Sequence, residues 1–398
     1  MSLNYYLKKI KDVSLEDVLS LFPMIISLLL LPFNKNKYSS TWLICEDKNE
    51  ARDNGYWFYK YLCENQPNVK AVYAISSKSP DYDKVNRLGP TVEYGSVLHW
   101  IIYFSCKYNI SSQKGGKPNA AVCAGLEAVG VSKTYNVFLQ HGVTINNAKW
   151  LYADNSNISL FISATNQEYE YLKSNFGYPE GVIKYTGFPR FDNLQDFIEI
   201  PNQILVMPSW RAWFKEKTAQ ISKYDSDFIH SEYYVKWNAF LNSPILNELI
   251  QKYSLNVVFY PHRNMQEYLN EFAVSNNNIV LASANDYDVQ ELLKSSKMLI
   301  TEYSSVFFDA VYMKKPLLFY QFDLNKFRSQ QYEEGYFDYS NNPFGKSFVD
   351  EESVLKELER IILSDYSINE QYLVEHNRVF SLFDNLNSER IYSILNNQ

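Results

Sequence analysis

Five polar signals in the chain fall directly after short apolar runs that read as buried strands: His141, Arg190, Ser209 with Arg211, His262, and Ser304 with Ser305. Open α/β sheets bind ligands at strand carboxyl ends, so this placement points to a site. An imidazole that titrates near neutrality takes a proton from an attacking hydroxyl, which is the chemistry open to His141. His262, beside Arg263, is suited to neutralising charge on a phosphate. Arg190 and Arg211 carry the planar fork that grips phosphate oxygens bidentately. Each signal also has a plainer reading, as a structural histidine or a surface ion pair. The other histidines, His99, His230 and His376, fall on helices or in a loop and read as structural.

Residues 299–323 read as strand, polar turn, helix and strand, a βαβ unit with a right-handed crossover. The turn puts Ser304 and Ser305 at a helix N-terminus. There they either cap the helix or hold an anion. Asp309, one turn on, either accepts from a ribose or sugar hydroxyl or is solvated. Asp286-Tyr287-Asp288 has the form of a metal-binding DxD, but Asp288 precedes a helix and reads as its N-cap. No carboxylate cluster, zinc-ligand spacing, GxxxxGK[ST] or GxSxG is present, and no metal site is expected.

With 398 residues, two domains are expected, and 33 Tyr and 25 Phe supply large cores. A net charge of −7 argues against a general nucleic-acid binder. Four scattered cysteines read as free thiols. Strands alternate with helices from residue 41 to 200, and a second such series begins at Pro201. Residues 212–231 read as a loop, and Pro244 breaks or restarts a helical pattern. The expected architecture is α/β and GT-B-like, with two Rossmann-like domains facing across a cleft. The expected parts are residues 1–36 as a membrane-associating helical segment, 37–200 and 201–350 as the two sheets, and 351–398 as C-terminal helices packing back on the core.

The apolar segment 19–33, whose apolar core is bounded by Pro23 and Pro32, reads as too short to span a bilayer comfortably. Lys8, Lys9 and Lys11 precede it, and Lys35 and Lys37 follow. It is either a helix buried on the domain or an in-plane anchor on an anionic leaflet.

Together the motifs resemble the CDP-glycerol glycerophosphotransferase family, whose members prime or polymerise teichoic acids and related capsular polymers. The matching pieces are Asp53-Asn54-Gly55, Gln140-His141-Gly142, Thr186-Gly187-Phe188-Pro189-Arg190, Pro208-Ser209-Trp210-Arg211, Pro261-His262, and Ile300-Thr301-Glu302-Tyr303-Ser304-Ser305 with Asp309. The resemblance implies a CDP-alcohol donor, CDP-glycerol or CDP-ribitol, and an acceptor hydroxyl on a lipid-linked glycan or polymer. It implies peripheral attachment to the cytoplasmic face of the membrane, through residues 19–33. It makes His141 the base and puts His262 in the donor site, where it is read as a second catalytic residue. Arg190, Pro208, Ser209, Ser304, Ser305 and Asp309 then line the donor site, and Gly142, Val143, Thr144 and Arg211 join the substrate-binding set. No metal or cofactor is required by this scheme. Two departures stand out. Glu302 replaces the usual Asp, and residues 143–147 lack the basic residue often found there. Near the size of the catalytic core, the chain is expected to add one or a few units.

Overall fold

The computed structural model describes residues 14–215 and 228–398. Lys8, Lys9 and Lys11, and most of the loop expected over 212–231, lie outside the described residues. The chain divides into two compact units.

The first unit comprises Met1–Val143, Ala148–Asn193 and Phe380–Gln398. Its strands are β1 (Trp42–Cys45), β2 (Ala71–Ile75), β3 (Thr91–Glu93), β4 (Tyr108–Ser111), β5 (Asn136–Phe138), β6 (Leu160–Ser163) and β7 (Ile183–Tyr185). They form one parallel sheet in the order β3-β2-β1-β4-β5-β6-β7. Strands such as Trp42-Leu43-Ile44-Cys45 are buried along their whole length, as both faces of a parallel sheet must be covered. The order reverses between β1 and β4, and ligands of such sheets bind outside the carboxyl ends at that point.

The second unit comprises Thr144–Asn147 and Leu194–Val379. It repeats the plan with β8 (Gln203–Met207), β9 (Asn256–Phe259), β10 (Ile279–Leu281), β11 (Met298–Thr301), β12 (Leu317–Tyr320) and β13 (Gly345–Phe348). Their order is β10-β9-β8-β11-β12-β13, all parallel, with the reversal between β8 and β11. The fold is GT-B-like α/β, as expected. Pro244 is the first residue of the helix Pro244–Tyr253, where a missing N–H costs nothing. Asp288 caps its helix through the amides of Gln290 and Glu291.

Several boundaries differ from those expected. The first unit's main body ends at Asn193 rather than at residue 200. The C-terminal helices divide: Glu351–Leu363 and Glu370–Val379 belong to the second unit, and Asn387–Asn396 to the first. The Tyr108 hydroxyl donates to the Leu395 carbonyl, and Asp192 accepts from the amides of Asn387 and Ser388. Gly187 lies in this contact with φ at +79°, and a Cβ there would collide with Asn387.

Helix α1 (Leu15–Tyr38) runs through both Pro23 and Pro32, so neither bounds it. Its 24 residues span roughly 36 Å, enough by length and composition to cross a bilayer core. A capping box between Ser14 and Asp17 starts it. Asn119 holds its first turn through Asp17, and Lys48 pairs with Glu16. It packs on the helix Val97–Ser105 but buries only Met24 and Ser27. Leu19, Phe22, Ile25, Leu29 and Phe33 are exposed, which rules out a fully buried helix.

Candidate active site

In the first unit the site begins at β5. The chain leaves this strand through Gln140, whose φ of 63° is left-handed and costs about 1–3 kcal/mol for a non-glycine residue. A buried amide holds it there: Gln140 Nε2 donates to the Ile162 carbonyl at 2.6 Å and to Glu168 at 2.9 Å. The left-handed turn at Gln140 presents His141 to solvent, with 71% of the side chain exposed.

His141 Nδ1 lies 2.5 Å from Asp53 Oδ2. Asp53 precedes helix α2 (Asn54–Asn65) and is its N-cap. Arg190 reaches the same carboxylate, with NH1 at 3.1 Å from Asp53 Oδ1 and 3.0 Å from the His141 carbonyl. Asn54 binds the loop together: its Nδ2 donates to the Gln140 carbonyl at 2.7 Å, and its Oδ1 accepts the Arg190 amide. The Asp53 charge beside the imidazole raises the His141 pKa above its ordinary value. Burial pushes the Asp53 carboxyl up, but His141, Arg190 and the Asn54 amide together outweigh it and hold it below the usual range. With Nδ1–H donated to Asp53, Nε2 carries the lone pair, the tautomer a general base needs.

Arg190 differs from expectation. Its side chain is 7% exposed and its NH1 bonds twice within the protein, so it holds Asp53 and His141 in place of the phosphate grip expected of it. Gly142 is half-buried. Val143 and Thr144 are buried, so the Val143 side chain packs inward and does not line a surface.

In the second unit the ends of β8, β9 and β11 meet in one hydrogen-bonded cluster. The Ser209 amide donates to Glu302 at 2.6 Å, and its Oγ accepts the Tyr303 amide at 2.9 Å. The Pro208 carbonyl accepts the His262 amide at 3.0 Å. His262 Nδ1 accepts the Asn264 amide at 3.1 Å, so the proton is on Nε2, which can donate to an anionic oxygen. Ser304 and Ser305 are half-buried, and Ser304 Oγ accepts the Val306 amide. The cap of the six-residue helix Phe307–Tyr312 is Val306, so neither serine is its N-cap.

Arg211 is a correction. Its side chain is 0% exposed and is shared between Glu302, at 2.7 and 3.0 Å, and Asp323, at 2.9 Å from both Nε and NH2. Burial opposes its charge, but the two carboxylates more than offset this and push its pKa further up. It braces the loops and does not reach a phosphate. Asp309 is buried, so the solvated reading is excluded. Glu302 also accepts from Trp237 Nε1 at 3.0 Å, and its carbonyl accepts from Gln321. Its role is to organise the loop, which the sequence did not reveal. Asp53 stood in a recognised motif without an assigned role, and its partnership with His141 was missed. Among the described residues no cluster of three or more His, Cys, Asp or Glu could hold a metal ion.

The family described as CDP-Glycerol:Poly(glycerophosphate) glycerophosphotransferase matches residues 25–397. The chain belongs to this family. It is 29% identical over 360 residues to the minor teichoic acid biosynthesis protein GgaB of Bacillus subtilis (strain 168), covering 89% of this chain and 39% of GgaB. It is 22% identical over 346 residues to a teichoic acid poly(glycerol phosphate) polymerase of Staphylococcus epidermidis, covering 78% of this chain and 44% of that protein. The chain thus spans about two fifths of the length of these two relatives. Among solved structures, the wall teichoic acid polymerase TagF superposes with a TM-score of 0.64 at 16% identity, covering 100% of this chain and 98% of that one. At that identity the likeness establishes the fold.

Proposed function

We propose that the protein transfers a polyol phosphate from a CDP-alcohol, CDP-glycerol in preference to CDP-ribitol, to a hydroxyl of a lipid-linked teichoic-acid-type polymer, releasing CMP. The family membership and the His141–Asp53 geometry support this reading. His141 Nε2 takes the proton of the acceptor hydroxyl as its oxygen bonds to the phosphorus nearest the alcohol. The bond from that phosphorus to the bridging oxygen breaks, and CMP leaves with the electron pair. Asp53 stabilises the imidazolium that forms. The His262 Nε2–H and the hydroxyls of Ser304 and Ser305 are the donors suited to the diphosphate, where charge grows during transfer. No step in this scheme uses a metal or cofactor.

The observation that carries the reading is the exposed imidazole whose Nδ1 is held by Asp53. A donor screen tests it. CDP-glycerol at 100 times its Kd stabilises the fold by about 2.7 kcal/mol in a thermal shift, and UDP- or GDP-sugars do not. Stabilisation and nucleotide release with a nucleotide-sugar alone would favour a sugar transferase, and no release with any donor would favour a non-catalytic glycan-binding scaffold.

We also propose that α1 lies in the plane of the cytoplasmic leaflet. It packs on Val97–Ser105, a helix of the unit itself, while it exposes leucines and phenylalanines. Lys35 and Lys37 stand in its last turn, placed for anionic headgroups. Wild-type protein should sediment with anionic liposomes, and protein lacking residues 1–36 should not.

A further inference from the structure

Glu46 follows β1, is 4% exposed, and has no part in the reaction scheme. Its carboxylate faces four donors: the amides of Gly55 and Tyr56 at 2.8 and 3.2 Å, the Tyr73 hydroxyl at 2.6 Å, and the Ser112 hydroxyl. These replace the water that a buried carboxylate loses. Gly55 makes the approach possible, because a Cβ there would lie 2.7 Å from Glu46 carboxyl atoms. Gly55 and Tyr56 are the second and third residues of α2, and their amides are the ones an N-cap side chain ordinarily satisfies. Asp53 is that N-cap, yet of the first-turn amides its Oδ1 takes that of Asn54, at 2.7 Å, beside Arg190 NH1, and its Oδ2 goes to His141.

We propose that Glu46 is a positioning residue for His141: by capping α2 in place of Asp53, it frees the Asp53 carboxylate to hold the imidazole. This rests on His141 being the base. Without the Glu46 carboxylate, the Tyr56 amide loses its acceptor and the Gly55 amide keeps only the Ser112 hydroxyl, at 2.9 Å. Rotation of the Asp53 side chain satisfies them and withdraws Oδ2 from His141. The motif Asp53-Asn54-Gly55 then has a role at each position: Asp53 holds the imidazole, Asn54 ties the loop, and Gly55 admits Glu46. The titratable groups around Glu46 are Asp53 at the N-cap of α2, Tyr73 on β2 and Cys45 on β1, with His141 beyond Asp53. Burial and the Asp53 charge push the Glu46 carboxyl up to about 7 despite its hydrogen bonds, so the cap weakens towards acid pH.

The test compares Glu46→Ala, Glu46→Gln and Gly55→Ala with the wild type. The readouts are the NMR titration of the His141 ring and the kcat and KM of CMP release from CDP-glycerol. In Glu46→Ala the His141 titration should fall towards the ordinary imidazole value. Its kcat should drop roughly tenfold or more, with KM for the donor within about twofold of wild type. Gly55→Ala should reproduce this pattern, and Glu46→Gln, which keeps one carbonyl acceptor, should recover part of the rate. A folded Glu46→Ala protein with lower thermal stability but unchanged His141 titration and kcat would overturn the proposal. If Glu46→Ala does not fold, Glu46→Gln decides on the same readouts. His141→Ala with wild-type turnover would instead remove the base assignment, whereas an inactive His141→Ala beside an unmoved His141 titration in the Glu46 variants overturns the Glu46 proposal alone.

Discussion

Asp53 Oδ2 lies 2.5 Å from His141 Nδ1, and this contact determines which imidazole nitrogen acts on the acceptor. An asparagine at position 53 keeps the size but can donate to Nδ1, which would move the imidazole proton to Nε2. Asp53→Asn is therefore expected to lower kcat by roughly a hundredfold or more. Calorimetry of CDP-glycerol binding should show an affinity close to wild type.

The rate should rise with pH on a limb above the ordinary histidine value of about 6.5. Asp53 raises the His141 pKa, so the protonated, inactive ring persists to higher pH. The linked stability has the opposite course. It is fully present below the unfolded-state histidine pKa and is lost as pH rises through the folded one. A pH profile of kcat/KM, with Asp53→Asn alongside, checks this: the limb should move down in the variant.

Arg211 braces Glu302 and Asp323 inside the second unit. Arg211→Met would leave two buried carboxylates without their cation and should cost about 3–5 kcal/mol in denaturant unfolding. A variant that keeps wild-type stability but loses donor affinity would restore the phosphate-binding role to Arg211.

Ser304→Ala and Ser305→Ala should weaken CDP-glycerol binding by about 0.5–1.5 kcal/mol each, the size of one hydrogen bond. Neither serine caps the following helix, so thermal stability should change little. Isothermal calorimetry with an unchanged Kd in both variants would take the serines out of the donor site.

Most of the sheet framework was legible because parallel strands are continuous apolar runs, as in Leu317-Leu318-Phe319-Tyr320. Strand β13 was not: Gly345-Lys346-Ser347-Phe348 is an edge strand that is not fully buried, so it carries no such run. Pro23 and Pro32 suggested limits to a helix that runs through both, since an exposed helix can leave the freed carbonyls to solvent. Histidines and serines after strands could be read as site candidates from position alone. The carboxylates that orient them could not, because Glu46 and Asp53 come together with Ser112 and His141 only when β1, β4 and β5 share a sheet. Arg211 failed for the same reason, as Glu302 and Asp323 are distant in sequence.

The most direct measurement is CMP release from CDP-glycerol, with a polymer acceptor present, by wild type and His141→Ala. With His141 as the base, turnover should fall roughly a hundredfold or more while the donor still binds. Near-normal turnover by His141→Ala, in protein that binds CDP-glycerol normally, would contradict the mechanism.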